Sequence, residues 1–409
     1  MHAAIRRPLA LAGTTLLATI ALLGVSTPAH AAATLTVGPT GTYATISAAI
    51  AAADPGDLIT VADGLYVENI TVAEGITIQA ENPRAATIQG NVTLSAPANI
   101  GGFTIAPLSG IGVTVGAAGA GSQITNNTVQ GTAQLIRVGS AVGSAGARTL
   151  VAGNTLQSFT GAAVFVSASS FVDVVGNTIT NTLPIPAGSV GVNVGNGSTD
   201  VTVLGNIISN VENAIAVLSA SAPALTNISI TGNTISNTSN SAVVLANANL
   251  QGVEVSGNSF TDVGTSGPTR AAVQIGVVGL AAPNGSAGLD GLTIDGNTVA
   301  NAPNGVVFSS NVVLVDNESA VVSDNTFVGL TGAAIAVDPA VSGTVSASGN
   351  DFGGAPVTGN VAVAAVAVPA GPGLAATGLD GNAGLIATAA ALLMALGAVL
   401  LMRRRSVVR

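Results

Sequence analysis

Two carboxylates hold the strongest chemical potential in this chain. Glu254 and Asp295 stand four and two residues before the Asn of two successive copies of a recurring Gly-Asn phrase. If each copy is one turn of a stacked strand structure, the two side chains point outward on neighbouring strands. One strand spacing across and two residues along puts their Cβ atoms roughly 8 Å apart. Inverting glycosidases work with carboxyl groups about 6.5–9.5 Å apart, one acting as acid and one as base. The longest repeat lies between their markers, Asn258 and Asn297. It is expected to insert a loop around Ala281–Gly291 that walls a cleft. A second acidic cluster, Asp316, Glu318 and Asp324, has the oxygen donors that a hard cation such as calcium takes. It fits no recognised metal loop, so a solvated turn is the simpler expectation. No cofactor is expected.

The absent residue types narrow the chemistry further. The 409 residues include no Cys and no Lys; all ten basic residues are Arg. Both histidines, His2 and His30, lie close to the N-terminus. Residues 32–377 therefore carry four Arg (Arg84, Arg137, Arg148 and Arg270) against 18 acids, a formal charge of −14. This body has no thiol nucleophile, no histidine base, no Schiff-base lysine and no Cys or His metal site. Nucleic acid is excluded as a partner, because phosphate neutralisation needs a basic face.

The elements that must position these residues are repeats. The Gly-Asn phrase places Asn at 127, 154, 177, 206, 233, 258, 297, 325 and 350, at broadly similar intervals. Apolar residues stand three before and two after each Asn, as at Val174 and Ile179 or Ile230 and Ile235. Alternation before the Asn is the pattern of a strand with one buried face. The chain is expected to bend at the Asn itself, which tolerates the left-handed conformation. Four residues on comes a second polar position, such as Asn181, Asn210, Asn237, Asp262 and Asn301. A further apolar strand often follows, as in Ala162–Val166 and Val190–Val194.

This pattern resembles the right-handed parallel β-helix of the pectin-lyase-like superfamily, over roughly residues 34–365. The resemblance implies an all-β solenoid of about a dozen coils, with the nine Asn side chains forming a hydrogen-bonded ladder. Thr45–Ala53 would be a short helix capping the N-terminal end, as an open solenoid end requires. Residues 32–82 would form the cap and first coil. A leucine-rich horseshoe shares the Val172-x-Val174-x-x-Asn177 core. Its convex side needs helical segments, whereas the return stretches here are rich in β-branched residues, Gly and Asn. Polygalacturonase-like members use several Asp with a His and an Arg-x-Lys triplet, which are missing here. Pectate-lyase-like members pair calcium carboxylates with a basic residue, but none of the four Arg lies in a matching motif. Most Phe residues are expected inward or beside turns, leaving Tyr43 and Tyr66 as the remaining aromatics.

Both ends read as address labels. Residues 1–31 have a basic start (Arg6, Arg7), an apolar stretch and an Ala29-His30-Ala31 cleavage site, the build of a signal peptide. A linker over 366–373 leads to a terminal segment, 374–409. Leu374, Ala375, Ala376, Thr377 and Gly378 resemble the L-A-x-T-G form of the sortase sorting signal, typical of high-GC Gram-positive bacteria. An uncharged span at 384–402, reaching ~28 Å, and the basic tail from Arg403 complete the arrangement. The resemblance implies cleavage between Thr377 and Gly378 and transfer of Thr377 to a cell-wall amine. Sortase and peptidoglycan are then partners, and the membrane is one before sorting. These signs describe a secreted, wall-anchored actinobacterial surface protein. With no conventional catalytic set in its body, it is expected to be a non-catalytic adhesive or structural rod presenting Thr, Ser and Asn to a polysaccharide or host surface. The alternative is a polysaccharide lyase or glycoside hydrolase working through Glu254 and Asp295.

Overall fold

The computed structural model describes residues 31–218, 224–246, 249–276, 288–310, 312–316 and 319–364. The sorting signal and apolar span at 374–402 lie outside the described residues, as does the signal peptide before Ala31.

The described chain winds into a right-handed, all-parallel solenoid of about 12 coils. Each full coil contributes one strand to each of three sheets. The first sheet carries the strand before the recurring Asn, the second the strand after it, and the third the apolar strand that closes the coil. That third strand excludes the horseshoe, because it occupies the return side where helices would be needed.

The period-2 pattern explains the packing. Val172, Val201, Ile228, Val253 and Leu292 stack in register down the first sheet, with Val174, Val203, Ile230, Val255 and Ile294 beside them. All are at most 1% exposed. Burying each such side chain favours folding by about 1.5–3 kcal/mol. A narrow core built from these columns needs few aromatics.

The bend between the first and second sheets differs from the expectation. The left-handed residue is the one before the ladder Asn: Gly176 (φ 60°), Gly232 (φ 64°), or Asp324 (φ 52°) where Gly is missing. Glycine takes that conformation without a Cβ penalty. The Asn is thereby released from turning the chain, and its side chain faces inward. At the second bend the polar residue itself is left-handed, as at Asn210, Asn237, Asp262 and Asn301.

Inside the bend the Asn residues are linked from Asn127 to Asn350. Asn206 is typical. Its backbone N–H and its Nδ2 both donate to Asn233 Oδ1, at 2.9 and 3.0 Å, and Nδ2 also donates to Val174 O at 2.9 Å. At the upper end Phe103 fills the equivalent position, and its N–H donates to Asn127 Oδ1 at 2.9 Å.

The N-terminal end is closed by α1 (Ile46–Ala52), which buries Ile46 and Ala49. Thr45 caps it by accepting from the Ala48 N–H at 3.2 Å. The Glu68 carboxylate accepts from the Ile46 and Ser47 N–H groups, each at 2.9 Å. At the other end, Val361–Val363 pairs with Val345–Ser348 as the last described strand of the first sheet.

Candidate functional site

The three faces of the solenoid differ in their borders. The corner between the first and second sheets is one tight bend in every coil of the ladder. Longer turns flank the third sheet, such as residues 181–189 before Val190–Gly195 and 264–270 before Ala271–Ile275. These turns border the outer face of the third sheet.

Strand alternation brings one outward residue per coil to the middle of that face. Arg137, Phe165 and Asn193 occupy three successive coils in register. Ala216, Val244 and Gln274 continue the column. The Arg137 guanidinium sits 5.8 Å from the Phe165 ring centroid, a cation–π contact. Phe165 therefore faces outward, an exception to the inward placement of Phe103, Phe159, Phe260, Phe308 and Phe327. Its neighbours Val164 and Val166 point into the core, so alternation alone places it outside.

Further along, the face hollows into a depression of about 530 Å³ lined by Asn304, Val307, Ser309, Ala336, Asp338 and Thr358, among others. Gln274 adjoins it through its register partner Val307. Only 5% of Gln274 is exposed. Its Nε2 donates to Ser309 Oγ at 2.8 Å, while its Oε1 is buried without a partner. Asn193 Oδ1 is likewise buried and unpaired. An unsatisfied buried acceptor costs about 1–3 kcal/mol, so two on one face require an explanation.

The carboxylates singled out from sequence lie on a different face. In the paired strands Leu250–Ser256 and Gly288–Asp295, Glu254 is opposite Thr293 and Ser256 is opposite Asp295. Glu254 and Asp295 are thus one strand apart and two residues along on the outer side of the first sheet. Ser256 Oγ donates to Glu254 Oε1 and Ser323 Oγ to Asp295 Oδ1, both at 2.6 Å. One oxygen of each carboxylate is held by that serine. The loop expected at Ala281–Gly291 is partly strand: Gly288–Gly291 belong to Gly288–Asp295, and residues 281–287 lie outside the described residues. The depressions at the cap and on the third sheet are lined by neither carboxylate.

Arg148 also sits on the first sheet. Its Nε and Nη2 donate to Asp173 at 2.8 and 2.7 Å, and Nη2 reaches Asp200 O at 2.9 Å. It packs 5.6 Å from the ring centroid of Phe171. These contacts tie neighbouring coils and commit the cation to structure. Two of the calcium candidates serve turns. Asp316 Oδ1 accepts from Ser319 Oγ at 2.9 Å, Asp324 forms a bend, and Glu318 lies outside the described residues. Among the described residues no group of three or more acidic, His or Cys side chains can hold a metal ion.

The class these observations define is a parallel β-helix with a bordered third-sheet face. A family model described as "Right handed beta helix region" matches residues 58–229 and 112–269, together just over half of the chain. The protein belongs to that family. No curated protein matches it.

Among solved structures, the chain is similar to a variant catalytic domain of a GH87 alpha-1,3-glucanase in complex with nigerose. The identity is 13% and the TM-score 0.61, covering 79% of this chain and 66% of that one. A GH87 alpha-1,3-glucanase catalytic domain with nigerose gives 13% identity and a TM-score of 0.56, covering 75% and 63%. A complex with tetrasaccharides gives 15% and 0.50, covering 76% and 64%. The chain thus spans slightly under two thirds of those domains. What is shared at such identity is the fold, and the site must carry the chemistry.

The expectation of a non-catalytic adhesive or structural rod is overturned by these neighbours. They are catalytic domains of carbohydrate-active enzymes, which favours the alternative reading.

Proposed function

We propose that this protein is a carbohydrate-active enzyme that binds a polysaccharide along the outer face of its third sheet. The observation that carries this is a single outward column that holds the Arg137-backed Phe165, Asn193 beside it and Gln274 further along, each amide with an unpaired buried acceptor. A half-buried aromatic offers part of an apolar platform to a sugar ring, and an unpaired amide oxygen can accept from a hydroxyl. Asp338 supplies a carboxylate within the depression.

A second arrangement of the chemistry uses Glu254 and Asp295 as the acid and base. Their placement one strand apart favours it, as do the free oxygens left by the two serine bonds.

Reducing-end release from a panel of acidic and neutral glycans tests the reading. Phe165→Ala should lower kcat/KM about tenfold, as expected for losing about 1–2 kcal/mol of ring contact. Unchanged kinetics would remove the third-sheet face from the reading. Loss of turnover in Glu254→Gln with retained binding assigns the chemistry to the first sheet. The same result in Asp338→Asn assigns it to the depression.

The terminal segments support secretion through residues 1–31 and wall anchoring through Leu374-Ala375-Ala376-Thr377-Gly378. Sortase would be the partner that joins Thr377 to peptidoglycan, after a stage held in the membrane by residues 384–402. Thr377→Ala should then leave the protein unlinked to the wall, and covalent attachment that survives the change would refute the anchor.

A further inference from the structure

We propose that the third-sheet face takes a neutral, hydroxyl-rich glycan and discriminates against polyuronates. This rests on the polysaccharide reading above and deepens it by naming the substrate class.

Gln274 is the central observation. It projects outward from its strand, yet 5% of it is exposed and its Oε1 has no partner. Ser309, the partner of its Nε2, lines the depression. A group that pairs with this oxygen must donate a hydrogen bond to it. A sugar hydroxyl does so, on a neutral glycan or a uronate ring alike, so the discrimination between them rests on charge.

The stretch between the two unpaired acceptors agrees. Asn193 and Gln274 are three strand steps apart, roughly 14 Å, with Ala216 and Val244 between them. That stretch is apolar and uncharged, with Val244 half-buried and Ala216 1% exposed. Charge points the same way. Arg137 is the one cation in the mid-strand column among the described residues, and its guanidinium packs on Phe165. Residues 32–377 carry a formal charge of −14. A polyuronate would meet repulsion from the body with a single Arg to offset it.

The test is titration of the full-length protein with dextran, pullulan and laminarin, and separately with polygalacturonate and alginate, at low and high salt. At least one neutral glucan should bind with an affinity that salt barely changes, and polyuronates should bind at least tenfold more weakly. Gln274→Met keeps the side-chain volume and removes the amide. It should weaken neutral binding about tenfold while circular dichroism stays that of the parent. Asn193→Ala, at a half-buried position, should weaken it several-fold and serves if the first variant misfolds. Polyuronate binding as tight as neutral binding would overturn this inference alone, as would unchanged affinity in a folded Gln274→Met or Asn193→Ala. Binding of neither class overturns the parent reading together with it.

Discussion

Asn233→Ala is expected to destabilise the solenoid by about 2–5 kcal/mol, read as a shift in the urea midpoint. Asn233 is 1% exposed and Asn206 fully buried. The Asn233 Oδ1 accepts from both Asn206 N–H groups, and its Nδ2 donates to Val203 O at 2.9 Å. Alanine fills none of these roles. The Asn206 backbone N–H would lose its acceptor and Val203 O a donor, at about 1–3 kcal/mol for each group left unpaired. The Asn206 amide keeps its bond to Val174 O, which limits the loss. Asn350 is the internal control. It is half-buried at the lower end of the ladder and accepts from Asn325 on one side. Water can replace its partners, so Asn350→Ala should cost about 1 kcal/mol. Equal losses at the two positions would show that the ladder contributes nothing through burial.

Phe327→Ala is expected to cost about 3–5 kcal/mol, the usual penalty for emptying a large core position. Phe327 is 1% exposed and stacks on Phe352 with centroids 6.3 Å apart. It also compensates for a neighbour. A Cβ built on Gly305 would come within 2.3 Å of Phe327 Cε1 and 2.4 Å of Ala334 O. The ring occupies the space that Gly305 leaves open. Gly305→Ala alone should therefore destabilise by roughly 1–3 kcal/mol through overpacking. In the Phe327→Ala background its side-chain clash is gone, though the carbonyl contact stays. The double variant should lose less than the sum of the singles by about 1 kcal/mol. Strict additivity would show that ring and glycine do not share that space.

Much of this fold was legible because its periodicities are simple. Alternation marked the first-sheet strands, and the recurring Asn marked the coils. Local conformation was harder to read. Gly and Asn both tolerate the left-handed region, so the phrase Gly-Asn does not say which residue turns. Structure assigns the turn to Gly176 and its equivalents, leaving Asn177 to face inward. The face proposed for glycan binding was not legible. Glu254 and Asp295 stood out because carboxylates are scarce and chemically distinctive. Phe165, Asn193 and Gln274 are ordinary residues in strands noted only as apolar. Their importance comes from alignment across coils of unequal length, which becomes visible once each third-sheet strand is placed in register.

The ladder also indexes the spindle by angle instead of by chain length. Asn154 and Asn177 are 23 residues apart, and their two bonds measure 3.0 Å each. Asn258 and Asn297 are 39 apart, and theirs measure 2.9 Å each. The sixteen extra residues are invisible to that joint. Each Asn acts as a detent that restores the same rotational position after whatever excursion the chain has made. Lineages of such proteins can lengthen or exchange a turn beside the third sheet while every rung below keeps its setting. That face can then be reshaped by local insertion, with the shaft that carries it left in gear.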